Sequence, residues 1–460
     1  MRRLLVGVLI LLLAGCSMRS TSNDDAPSAS EAAESLSGTD SGDFGTLKDV
    51  CGPGTPKSAT AQGVTDKEIK VGVFTDVGFS KKSEYVDAAK VFTSWCNDAG
   101  GINGRKLVPV TRDTRLYEVR ARMLEACRED FALVGGGAAL DGTGVEDRLK
   151  CLLPEFPAQS SMRQSLGSDL QVLASGPAVG YSRYTGLYTW LLEEAFPSSA
   201  GSVGIITGDS PVTKNLAAMD KETLTAMGGK VVYSDLYPAQ GVSDWTPYAQ
   251  SIKKKHVKGL VFLGDFTSLA KLEQALTAIG YAPDWIDSTN NAYNPAFLKL
   301  AGPALGTQKN FTELFGTYPR EEAADNPATQ KVIDLFKKYA SGAEITLPVL
   351  RAFSAWLLFA TAARDCDQLT RACVYENAAR HTDWTGGGLQ APVDLTKVDD
   401  PPECYVVMQS TAKGWEPADI KPDHGAYRCD APAYKFKGDY GEPLTLADVG
   451  KSMEDVKQDK

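Results

Sequence analysis

Histidine is nearly missing from this chain: only His256, His381 and His424 occur in 460 residues. None stands at a spacing that brings a second ligand onto the same ion, and no Cys-x-x-Cys occurs, so the donor sets of zinc centres are absent. The motifs of phosphate cradles, metalloproteases and serine hydrolases (Gly-x4-Gly-Lys, His-Glu-x-x-His, Gly-x-Ser-x-Gly) are absent too. Gly208-Asp209-Ser210 has the outline of a nucleophile turn, but a serine nucleophile needs a base, and the histidines end a lysine run or lie in polar, loop-like sequence. Basic runs are equally scarce. Lys253-Lys254-Lys255 is the exception, and it reads as the cationic end of a helix. With 48 Lys and Arg against 58 Asp and Glu, the net charge of −10 disfavours nucleic acid. The chain is expected to be no enzyme, to bind no nucleic acid, and to need no cofactor and no metal.

Long apolar runs are lacking as well. Leu4–Leu13 follows Arg2 and Arg3 and ends in Leu13-Ala14-Gly15-Cys16, which is short of the roughly 20 residues that cross a bilayer core. Residues 1–15 therefore read as an export signal. The Leu-Ala-Gly-Cys ending resembles the bacterial lipobox, which implies cleavage before Cys16 and a diacylglycerol on its thiol. The mature chain, at −12 once Arg2 and Arg3 are gone, is then expected outside the cytoplasm, lipid-anchored to the cell membrane. Residues 16–46, rich in Ser, Asp, Glu, Ala and Gly, bury too little to offset chain entropy and read as a flexible tether.

Of nine cysteines, eight remain once Cys16 is spent, an even number that in an exported chain points to disulfides. Local spacing favours Cys366–Cys373 and Cys404–Cys429. The other four are paired as Cys51–Cys96 and Cys127–Cys151.

The roughly 410 residues beyond the tether exceed what one hydrophobic core usually organises, so two lobes are expected. Short β-rich runs alternate with helical patterns from Ile69 onward. Strands are expected at 69–74, 107–110, 131–134 and 156–159, with Tyr85, Ala88, Ala89, Phe92 and Trp95 on one face of the first helix. A second array follows, with strands at 203–207, 230–233, 260–263 and 285–287. Helical patterns continue at 330–339 and 350–363, and a strand at 405–409. Strands joined through helices give parallel sheets with right-handed crossovers, so the fold class is α/β, twice.

Open α/β sheets bind ligands beyond the carboxyl ends of their strands. Four such loops stand out: 75–81 with Phe79, 135–141, 159–162 and 264–267. Ser160 and Ser161, with backbone N–H groups at helix starts, offer donors to a carboxylate or other anion. For Gly135-Gly136-Gly137, a binding loop and plain turn chemistry are both open readings.

The order of elements resembles the type I periplasmic-binding proteins of the branched-chain amino acid (Leu/Ile/Val-binding) group of ABC transporters. The local marks are Gly63-Val64-Thr65-Asp66-Lys67-Glu68-Ile69-Lys70-Val71-Gly72 and Ala99-Gly100-Gly101-Ile102-Asn103-Gly104-Arg105-Lys106. Trp384-Thr385-Gly386-Gly387-Gly388-Leu389 and Pro402-Glu403-Cys404 resemble the closing segment of lipoprotein members from high-GC Gram-positive bacteria.

The resemblance implies two Rossmann-like lobes joined by crossovers near Gly180, residues 311–318 and residues 395–402. One lobe is expected to comprise 47–180 with 318–396 and the other 181–317 with 397–435, leaving 436–460 as a tail. It implies a small-molecule solute in the cleft, a membrane permease as partner, and a monomer. Carboxylate contacts are expected at Ala138, Ala139, Asp141, Gln159, Ser160 and Ser161. In the second lobe the family's two aromatic positions fall on Val212 and Phe266, and its amino-pairing acid on Thr289 or Asn290, with Asp209, Asp265 and Asp287 close by. Because that amino acid signature is incomplete, the expected cargo is a small polar or anionic solute other than leucine, isoleucine or valine. The alternative is a sensory binding protein that signals to a membrane receptor.

Overall fold

Four short runs with apolar residues on both faces build the first sheet: β1 (Glu68–Thr75), β2 (Lys106–Asp113), β3 (Ala132–Val134) and β4 (Glu155–Phe156). The computed structural model describes residues 41–56, 61–289 and 292–459, and in it these strands are all parallel, in the order β2-β1-β3-β4. Ile69, Val71, Val73 and Phe74 are buried along β1, as a strand covered by helices on both faces must be. The expected apolar stripe forms α1 (Glu84–Asp98), and α2 (Val119–Glu129) follows β2.

The second sheet has seven strands in the order β11-β10-β9-β8-β7-β5-β6. Its parallel part is β5 (Val203–Gly208), β6 (Val231–Tyr237), β7 (Gly259–Leu263), β8 (Trp285–Asp287) and β9 (Asn310–Glu313). Between these run α3 (Pro211–Ala226), α4 (Thr246–Lys254) and α5 (Phe266–Ala278). Ser210 and Asp265 cap α3 and α5 by accepting the N–H groups of Thr213 and Ser268. The chain then returns to the first lobe as α6 (Pro327–Tyr339), α7 (Leu347–Arg364) and α8 (Arg371–Ala379). All but three of the 18 residues of α7 are buried, as a helix that is apolar all round requires. Its Phe353, Trp356 and Phe359 lie against Phe92, Phe131 and Phe156. Antiparallel β10 (Val407–Thr411) and β11 (Gly414–Pro417) complete the second sheet.

Both lobes belong to one compact unit, Thr39–Lys460. Segments distant in sequence are fastened together: the Asp399 carboxylate accepts from Gly180 N at 2.5 Å and from Lys435 Nζ at 2.8 Å.

Two expectations at the chain ends are corrected. The tether stops short of residue 46, because Phe44, its one aromatic side chain among the described residues, is fully buried between Trp95 and Phe353. The Trp95 indole N–H also donates to Ser41 O at 3.1 Å. Residues 436–460 are not a free tail. Glu222 on α3 accepts from Tyr434 Oη, Lys437 N, Gly438 N and Tyr440 Oη. The chain then crosses to the first lobe, where Leu446 N donates to Asp169 and Leu446 and Val456 pack with Val145 and Leu149. Asp459 pairs with Arg371 at 2.9 Å. The apolar positions Leu444, Leu446, Val449, Met453 and Val456 drive this docking.

Each of the four cysteine pairs is bonded: Cys51–Cys96, Cys127–Cys151, Cys366–Cys373 and Cys404–Cys429. The expectations for the signal, Cys16 and Asn290 lie outside the described residues.

Candidate functional site

Loops at the carboxyl ends of β1, β3 and β4 carry the first-lobe candidates. The glycine run after β3 is settled by geometry. Gly135 has φ +65°, and a Cβ at Gly136 would lie 2.5–2.6 Å from backbone atoms of Phe74. Gly135 N donates to Phe156 O and Gly137 N to Phe74 O, so these amides knit the turn and do not face a ligand. Ala138 is buried, and Ala139 N donates to Asp76 Oδ2 at 2.7 Å.

Asp141 accepts the N–H groups of Ser161 (2.8 Å) and Met162 (2.9 Å) and the Ser160 hydroxyl (3.1 Å). Burial pushes its carboxyl up to about 7. These three donors shape the loop from within. Gln159 faces the first helix: its Oε1 accepts from the Tyr85 hydroxyl at 3.0 Å, and its Nε2 reaches Ser161 Oγ at 3.4 Å. Phe79 stands apart on the turn Val77–Ser80, 59% exposed.

In the second lobe, Phe266 is half-buried at the start of α5, with the Lys82 ammonium of the first lobe 4.6 Å from its ring centroid. This contact spans the cleft. Val212 is half-buried in the first turn of α3, Asp209 is exposed and pairs with Lys214 at 2.6 Å, and Asp265 is occupied as the α5 cap. Asp287 is buried, accepting from Tyr188 Oη and Thr289 N, each at 3.0 Å. Burial raises its carboxyl above the ordinary range. Thr289 is buried too, its hydroxyl oxygen accepting Glu313 N at 3.1 Å. Neither side chain is exposed to hold an ammonium group.

Sequence reasoning passed over Arg183, Arg351 and Phe315, which the fold brings together. Both guanidinium carbons lie 5.1 Å from the Phe315 ring centroid, and Tyr184 meets the same ring edge-on at 5.6 Å. Phe315 has φ +54° and is followed by Gly316 at +69°, a tight turn between β9 and the first lobe. Arg351 was visible as the lone charge inside the apolar run 347–363. Arg183 carried no such signal.

Two surface cavities, of about 250 and 610 Å³, lie elsewhere, one beside Asn103 and Arg364 and one beside Glu222 and Tyr434. Asp423, His424 and Cys429 cluster on the surface, but the Cys429 sulfur is committed to Cys404.

A family model described as periplasmic binding protein matches residues 178–414, just over half the chain. The chain belongs to that family. A comparison with curated protein sequences finds no match. Among solved structures, this periplasmic binding protein resembles a fatty acid ABC transporter substrate-binding protein from Thermomonospora curvata (TM-score 0.66, 18% identity, 84% of this chain and 98% of that one). It also resembles a leucine-binding protein from Thermotoga maritima (0.62, 14%, 76% and 97%). A third is the branched-chain amino acid transporter substrate-binding protein of Streptococcus pneumoniae in complex with isoleucine (0.61, 18%, 76% and 98%). The likeness covers both lobes and shows the type I periplasmic-binding fold.

Proposed function

We propose that this periplasmic binding protein is an extracytoplasmic lipoprotein, anchored through Cys16, that captures a small polar or anionic solute for an ABC-type importer. The observation that carries this reading is the pair of α/β lobes, each on its own sheet, bridged by Lys82 over Phe266. The lobes 47–180 with 318–396 and 181–317 with 397–435 close on the solute, and a membrane permease receives it from the monomer. The relatives named for fatty acids, leucine and branched-chain amino acids fit such a role.

Leucine, isoleucine and valine are not the cargo. Thr289 and Asp287 are both consumed by internal hydrogen bonds, and Val212 supplies no aromatic wall. A ligand that binds only the folded state raises its stability by RT ln(1 + [L]/Kd). A thermal-shift panel is expected to show no response to the three amino acids and a clear rise with another polar or anionic solute, whose mass native mass spectrometry of the purified protein reads directly. A strong leucine shift would reverse the specificity argument, and the absence of any bound or binding solute would reverse the function.

A further inference from the structure

The buried arginines Arg112, Arg148 and Arg371 all have their charges met. Arg112 pairs with Asp130 and Glu129, Arg371 with Asp459, and Arg148 donates to Ser168 and two backbone carbonyls. Such pairing is what burial demands, because a cation taken from water without partners is costly. Arg351 departs from this pattern. Although only half-buried, it has neither a hydrogen bond nor a salt bridge among the described residues, and its Nε is enclosed with no acceptor. Arg183 donates once, from Nη2 to Ser175 O at 2.9 Å, and its Nε is likewise buried and unmet.

We propose that Arg183 and Arg351 form, beside Phe315, an anion subsite that takes the carboxylate or a related oxyanion of a solute that carries no ammonium group.

This rests on the solute-binding reading and names the charge of the cargo. Since both guanidinium carbons lie 5.1 Å from one ring centroid, they are at most twice that distance apart, and the charge of Arg351 disfavours that of Arg183. An anion between them removes that cost. Burial, then the Arg351 charge, lowers the Arg183 guanidinium to about 10, the direction expected for two cations awaiting a counter-ion. Glu313 feels the charge of both arginines, but the N–H groups of Phe315 and Gly316 bond it, its Oε2 has no partner, and burial pushes it up to about 7. It makes no salt bridge with either arginine. The planar fork of arginine matches a carboxylate in two parallel bonds. Tyr85, beside Arg351 and bonded to Gln159, joins this corner to the first-lobe loops. Asp287 and Thr289 are spent on internal hydrogen bonds, which favours an anion over an ammonium-bearing solute.

Calorimetric titration of the purified full chain at low salt tests this, with hexanoate, inorganic phosphate and sulfate as anionic probes and hexylamine and leucine as ammonium-bearing ones. Saturable binding of at least one anion is expected, the responding arm separating carboxylate from phosphate or sulfate chemistry. Arg183→Gln and Arg351→Gln should each weaken it by about tenfold or more, as for loss of a charge-assisted hydrogen bond. Circular dichroism checks the fold of each variant. Where Gln prevents folding, Lys, which keeps the charge but loses the fork, should weaken binding in its place. The subsite is overturned if no anion binds, if the variants bind as tightly as the parent, or if hexylamine or leucine is preferred. Preference for an ammonium compound leaves the solute-binding role intact, whereas a chain that takes up no probe and carries no solute in native mass spectrometry loses both.

Discussion

The Asp141 carboxylate accepts the Met162 N–H at 2.9 Å, so the loop after β4 is pinned by an acid that burial pushes from 3.8 up to about 7. Glu313, from 4.5 to about 7, and Glu273, from 4.5 to about 8, are raised by burial in the same way. An acid whose pKa is raised by folding favours the native state while protonated. That advantage is complete below the unfolded value and is lost as pH rises through the folded one. Melting temperature should therefore fall between about pH 5 and pH 8. Asp141→Asn, which keeps an acceptor without the charge, should flatten part of that slope. A profile that rises over this range would show that these acids ionise freely in the native state.

Membrane attachment is expected to depend on one atom, the Cys16 sulfur. A diacyl anchor with an added chain holds a protein durably where one chain does not, so the native protein should partition into detergent and Cys16→Ser should appear in the soluble fraction. Equal retention of the variant would remove the lipoprotein assignment.

Cys51–Cys96 ties the segment ahead of β1 to α1 across 45 residues. Replacing both with Ser should cost roughly 2–4 kcal/mol, read by denaturant unfolding. Non-reducing peptide mapping of protein exported by its native route should recover all four bridges. Free thiols at Cys366 and Cys373 would contradict the shortest of them.

Phe266→Ala removes an apolar wall of the cleft and the seat of the Lys82 ammonium. Affinity for whichever solute binds should drop about tenfold or more, with little change in the melting temperature of the empty protein because Phe266 is only half-buried. Unchanged affinity would move the cleft elsewhere.

The strands were legible wherever apolar residues ran unbroken, as at 203–207 and 260–263. β9 was not, because Asn310, Thr312 and Glu313 look like a surface turn and are buried only through pairing with β8 and β10. The β9–β10 half of that pairing joins chain segments nearly a hundred residues apart. In the site, the loops were found from their position after strands, but the use of their donors was not. Whether Ser160 and Asp141 point outward to a ligand or toward each other depends on the register between two loops, which sequence spacing does not carry. Arg351 shows the converse: one charge in an apolar helix is a signal readable without coordinates, but its meaning appears only when Arg183 and Phe315 stand beside it.

The helix α7 fills the centre of the first lobe, yet the chain reaches it only after the parallel strands of the second lobe have been made. A first lobe lacking Phe353, Trp356 and Phe359 has an open core against Phe92, Phe131 and Phe156. It therefore has no route to completion while the ribosome is still short of Arg364. At roughly 5–20 residues per second, the nascent amino-terminal half waits for some tens of seconds without its keystone. Such a delay makes folding a late event dominated by distant contacts.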